Sequence, residues 1–193
     1  MKTLSESYPA TVALLKENKA EDASKEFRAR FSPTIKKLYS EAAKTYPTRF
    51  SKVDNWCEWA KQLYSLTRDA EDALKAPNAA KASAALADLR RHFYMLHEKA
   101  GNCLSNDYIY AFRTAVQNGA PSVDALKSLL KSLDGSKPSA KAAAEAGAFK
   151  EAKADWEETV KASLTDDRLE DSELQSLRQS TEAFYEAFGV QFQ

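Results

Sequence analysis

Apolar residues along this chain recur at alternating steps of three and four, and two stretches carry the pattern furthest. From Val53 to Leu74 the positions are Val53, Trp56, Ala60, Leu63, Thr67, Ala70 and Leu74. From Asn78 to Cys103 they are Ala82, Leu86, Leu89, Phe93, Leu96 and Ala100. Such spacing puts side chains on one face of a helix, so each stretch predicts an amphipathic helix with a narrow apolar seam. The break Lys75-Ala76-Pro77-Asn78 is short enough to fold the two into an antiparallel hairpin. In that register Leu74 meets Ala82, Ala70 meets Leu86 and Thr67 meets Leu89, while Leu63 meets Phe93, Ala60 meets Leu96 and Trp56 meets Ala100. Nearly every rung sets a large side chain against a small one, which closes a seam without holes or clashes.

The flanking chain reads as further helices. Ser7-Tyr8-Pro9 predicts a helix start with Ser7 as cap, and a second helix from near Glu21 carries Phe27 and Phe31. Ser32-Pro33 either kinks that helix or caps a new one holding Ile35, Leu38 and Ala42, which ends at Tyr46-Pro47. After the hairpin, Gly101-Asn102 is a helix stop and Ser105 a cap. Pro121-Ser122 opens a helix that closes at Asp134-Gly135, and the Gly135–Ser139 stretch has a linker's composition. An Ala-rich helix is expected from Ala140 to Ser163, and Ser172-Glu173-Leu174-Gln175 has the form of a capping box. The last segment, Leu174 to Gly189, repeats the spacing of Leu86 to Gly101, which hints at two related hairpins. The expectation is all-α: an irregular bundle of roughly seven to eight helices around the long hairpin. Residues 1–193 read as a single helical domain, with a sub-boundary at 135–139.

Composition supports this. Gly and Pro are few, no alternating strand pattern appears, and no apolar run is long enough to span a membrane. Net charge is zero but uneven: residues 1–138 hold 22 Lys plus Arg against 16 Asp plus Glu, and residues 139–193 hold 6 against 12. Because the basic residues are interleaved with acids, nucleic-acid binding is disfavoured. Met1-Lys2-Thr3 begins like a signal peptide, yet no apolar region follows it.

Candidate chemistry concentrates at the open end of the hairpin, where Cys57, His92, Met95, His97 and Cys103 are ligand types for copper, zinc or haem iron. The register puts His97 near Cys57 and Cys103, so these three could form a metal site, with His92 and Met95 a separate pair. A buried histidine and a Cys57–Cys103 disulfide account for the same residues and are the default. That disulfide would favour a periplasmic or extracellular protein over a cytoplasmic one. Trp59 and Tyr94 fall off the seam and either bury against a third helix or line a cofactor pocket. The acidic stretch Asp155 to Glu173 reads as a solvated loop, with weak cation binding behind it. Without a recognised nucleophile motif or phosphate loop, the chain reads as a non-enzymatic binding or accessory protein. The sharp version adds a haem or transition metal at the hairpin end. The alternative is a structural interaction subunit that meets a protein partner through its basic and acidic faces.

Overall fold

In a computed structural model of the protein, residues 2–44, 47–76, 78–119, 121–166 and 168–190 are described. Tyr46, Pro77 and Asp167 lie outside them. The chain is all-α: the described residues contain no strand, only one isolated parallel bridge between Leu104 and Lys137. No helix among them is long and apolar enough to cross a membrane. The residues divide into two compact units, one through Asn102 and one from Cys103 to Val190.

The first unit holds α1 (Lys2–Lys16), α2 (Ala20–Glu26), α3 (Ser32–Glu41), α4 (Trp56–Lys75) and α5 (Ala79–Ala100). Every seam residue of the hairpin from Trp56 to Leu74 and from Ala82 to Ala100 is buried, and α4 packs against α5. Asn78 caps α5, its side-chain oxygen accepting from the Lys81 N–H at 2.9 Å. At the other end Gly101 takes the left-handed conformation, and the Asn102 N–H bonds the His97 carbonyl at 2.9 Å. That pairing satisfies carbonyls the helix would otherwise leave open.

Two helix starts differ from expectation. Helix α1 begins at Lys2, ahead of Ser7, and encloses Pro9. The proline removes one internal bond, but the Tyr8 hydroxyl donates to the Leu86 carbonyl at 2.8 Å and fastens α1 to α5. Between α2 and α3 the chain neither stops nor caps at Ser32-Pro33. It passes through a π-helical turn, Phe27–Phe31, whose extra residue lets the helix continue past a proline in the first turn of α3. That turn sets Phe27 and Phe31 face to face with centroids 4.7 Å apart. Contacts then run from Phe31 to Phe93 (6.3 Å), Phe93 to His97 (6.3 Å), His97 to Phe50 (5.9 Å) and Phe50 to Trp56 (5.1 Å). One aromatic chain thus links α4, α5, the π turn and the 3-10 turn Thr48–Phe50.

The second unit holds α6 (Ser105–Gln117), α7 (Val123–Asp134), α8 (Ala140–Ala144), α9 (Ala146–Ser163) and α10 (Asp171–Phe184), the last running on through a π turn, Tyr185–Gly189. Ser122 caps α7 as expected, accepting from the Ala125 N–H at 3.2 Å. Two helix starts move by one or two residues and one expected helix divides. Helix α6 starts at Ser105 itself, because the Asp107 carboxylate accepts the Leu104 N–H at 3.1 Å. The Ala-rich segment breaks at Glu145, whose φ of −113° and ψ of 44° are not helical. The capping box forms two residues early, with the Glu170 N–H bonding Glu173 at 2.8 Å. Glutamate there adds a negative charge at the positive end of the helix dipole.

The expected sub-boundary at 135–139 is tied down inside this unit. The Ser105 N–H bonds the Lys137 carbonyl at 3.0 Å, and the Ser139 N–H bonds the Ser105 hydroxyl at 2.9 Å. Trp156 anchors the core, donating from Nε1 to Thr181 at 3.0 Å and stacking on Phe184 at 4.9 Å. Arg113 grips Glu182 through two nitrogens (2.6 and 3.0 Å), and Arg178 donates to the Val116 carbonyl (2.6 Å) at the end of α6. Leu174, Leu177, Thr181, Phe184 and Phe188 are buried at the same spacing as Leu86, Leu89, Phe93, Leu96 and Ala100. Trp56 and Trp156, however, have unrelated partners.

Leu89→Ala should lower unfolding stability by about 2–5 kcal/mol, read as the urea midpoint, because a fully buried side chain leaves a cavity. Gly189→Ala should cost about 1–3 kcal/mol, since its added methyl would stand 2.8 Å from Ile109 and closer still to Tyr185. An unchanged midpoint in either variant would contradict the packing described for its unit.

Candidate functional site

The structure disperses the ligand types expected to gather at the hairpin end. His97 is fully buried between the rings of Phe50 and Phe93, facing the core. Cys57, on the opposite side of α4, is exposed, and its thiol donates to the Ala42 carbonyl at 3.6 Å. Met95 is 41% exposed, which leaves it on the outer surface of α5. His92 lies against Trp59 with ring centroids 4.8 Å apart and planes tilted by 38°, and its Nε2 is 3.2 Å from the Trp59 carbonyl. Cys103 is half-buried just ahead of α6, in the second unit. Among the described residues no three of His, Cys, Asp or Glu form a group that could hold a metal ion.

The expected disulfide is also not made: Cys57 and Cys103 keep their thiols. The register argument placed Cys57 beside the seam, whereas its position next to buried Trp56 turns it outward toward α3. Trp59 and Tyr94 have separate surroundings. Trp59 packs half-buried on the hairpin core under Lys99, and the Tyr94 hydroxyl donates to Glu98 at 3.1 Å on the outer face of α5. What lies at this end is an open cleft of about 410 Å³ between α3 and α4, lined by Tyr39, Ser40, Ala42, Ala43, Cys57, Glu58 and Lys61.

A more apolar groove, of about 340 Å³, lies in the second unit between the end of α7 and α8–α9. Buried Leu133 and Ala142 and half-buried Phe149 make its floor, with Pro138, Ala143 and Ala146 as walls. Ser105, Ser136, Asp134, Lys150 and Lys153 stand at the rim. Both hydroxyls hold the rim in place: Ser105 accepts from the Ser139 N–H, and Ser136 donates to the Leu133 carbonyl at 2.7 Å. The break at Glu145 turns α8 away from α9 and so opens the space between Ala142 and Phe149.

Lys153 lies between two carboxylates, Asp134 at 2.5 Å and Glu157. Burial works against its ammonium, but the hydrogen bonds to Asp134 and Glu157 outweigh it and hold the pKa above the ordinary lysine value. Burial likewise pushes the Asp134 carboxyl up, and Lys153 overrides it, leaving the acid below the usual carboxylate range. This trio is therefore charged and mutually satisfied. Lys150 makes no ion pair among the described residues and points the groove's free positive charge outward.

Sequence reading missed this groove. Its signals were the small residues from Ala140 to Ala148 ahead of Phe149, and a supposed linker that folds back as the groove's edge. Comparison with known proteins gives no matching family model, no matching curated protein and no matching solved structure.

Burial lowers the His92 pKa by disfavouring the imidazolium; the Trp59 carbonyl pulls the other way and Arg91 adds to the lowering. The folded state then binds fewer protons than the unfolded one, so stability is fully present above the unfolded value of about 6.5 and falls as pH drops through it. Urea midpoints should decline from pH 7 to pH 5, and His92→Gln should flatten that decline. Parallel profiles for the two proteins would count against a neutral, buried His92.

Proposed function

We propose that this is a non-enzymatic binding protein that holds a small amphipathic molecule, apolar along most of its length, in the groove between α7 and α8–α9. The observation that carries the reading is the composition of that groove, an apolar floor of Leu133, Ala142 and Phe149 with Lys150 at its mouth. Small-molecule sites are mostly apolar concavities of roughly 300–1,000 Å³ with a few placed polar groups, and this groove falls at the small end. Its serine hydroxyls support the rim, and its buried-side lysine is neutralised by Asp134 and Glu157. The lining therefore favours holding a molecule over activating one. A weakly anionic head group would meet Lys150, while the body covers Phe149 and the alanines.

Haem or metal at the hairpin end does not enter the proposal, because His92, His97, Met95 and Cys57 face four different surroundings. The expectation of export rested on the disulfide and is not carried forward with it.

Anilinonaphthalene sulfonate, an apolar body with one anionic group, should bind with a saturable, one-to-one fluorescence increase. Ala146→Phe, which fills the groove from an exposed position, should weaken binding about tenfold, or about 1.4 kcal/mol. Lys150→Ala should weaken it less and reduce its salt dependence. Unchanged binding in Ala146→Phe, with helical circular dichroism intact, would overturn the assignment of the groove.

A further inference from the structure

We infer that the cleft between α3 and α4 is a docking site for an acidic peptide segment of a partner protein. Helical spacing puts Lys36, Tyr39 and Ser40 on one stripe of α3, with Ala43 in the turn that follows, and Cys57, Lys61, Tyr64 and Arg68 on one stripe of α4. The two stripes meet where Tyr39 and Tyr64 stack with centroids 4.9 Å apart and planes 6° from parallel. Ala42 meets Cys57 at one end of this track, so the helices run antiparallel and Lys36 and Arg68 both lie beyond the tyrosine pair. From Cys57 to Arg68 the track is about 16 Å long, at roughly 1.5 Å per helical residue. That length suits about five residues of extended chain.

Charge selects the occupant. Between Phe27 and Arg68 the sequence has nine Lys or Arg against three Asp or Glu, in a chain whose net charge is zero. Elsewhere in this unit three lysines are paired, Lys19 with Glu17, Lys25 with Glu21 and Lys75 with Asp72. Lys36 on α3, Lys37, Lys44 and Lys52 along the neighbouring chain, and Lys61 are exposed and make no ion pair among the described residues; of these Lys61 lines the cleft itself, together with one carboxylate, Glu58. Tyr39, 39% exposed, is one of two large hydrophobic side chains standing on the described surface. Unpaired cations beside a tyrosine pair of which Tyr39 is exposed match carboxylates interspersed with apolar side chains. A polyphosphate backbone would call for arginines or lysines along a longer path with bases to stack, so a peptide is the occupant the cleft fits.

The test is fluorescence anisotropy of the full-length protein with a labelled peptide of alternating Glu and Leu, beside a single-stranded oligonucleotide of equal charge. Saturable peptide binding is expected, weakened at least tenfold by Lys36→Glu with Lys61→Glu and several-fold by Tyr39→Ala. All three positions are exposed, so folding should survive, and Ala146→Phe in the other groove should leave peptide affinity unchanged. Equal or tighter binding of the oligonucleotide would overturn the peptide assignment. So would salt-sensitive self-association abolished by the charge reversals, which would give the cleft to an acidic stretch of a second copy. Peptide binding indifferent to all three substitutions would remove the site altogether.

Discussion

The first unit depends on closing one narrow seam between two helices that neither could bury alone. Helices α4 and α5 each carry one narrow apolar face, and isolated helices of such length are marginal in water. What holds them is a stripe of alternating large and small side chains, all buried. The stripe also dictates what surrounds it. Phe93 and Trp56 belong to the stripe and also meet the rings outside it, so the aromatic chain through Phe31, His97 and Phe50 covers the hairpin. His97 is part of that covering, which is why a residue of metal-ligating type ends up as packing.

The second unit solves the same problem with shorter helices and more polar fastening. Trp156 fills the centre, but Arg113 and Arg178 carry much of the attachment of α10 to α6, one through a carboxylate and one through a helix-end carbonyl. Such bonds stabilise only in a fixed geometry, since a half-buried guanidinium without its partner is costly. Gly189 belongs to the same economy of space, because α10 approaches α6 too closely there for any side chain.

Both candidate binding surfaces arise where helices stop or bend. The groove of the second unit opens at the Glu145 break, between an alanine-rich turn and Phe149. The cleft of the first unit opens where α3 ends and α4 begins, so its walls carry side chains that face no third helix. Their chemistry differs: one is an apolar hollow with Lys153 neutralised and Lys150 unpaired at its mouth, the other a more polar track with stacked tyrosines, Lys61 and Glu58.

Fold class, the hairpin and most helix positions were legible in the sequence, because the three-and-four periodicity is a local property that any neighbouring helix must respect. Caps were legible only to within a residue or two. Ser105 and Ser172 were plausible caps, but Asp107 and Glu173 reach back to the preceding amides and win. The division into two units was decided by which residues come together across long separations, as was the folding back of the 135–139 stretch onto Ser105. The sites depended on the same thing. Cys57 and His97 each stand one residue past a seam position, and only tertiary packing separates them: Phe50 and Phe93 enclose His97, while Cys57 stays exposed beside the Ala42 carbonyl. Leu133 and Phe149, or Tyr39 and Tyr64, have no local pattern in common, and only the packing of separate helices makes each pair a surface.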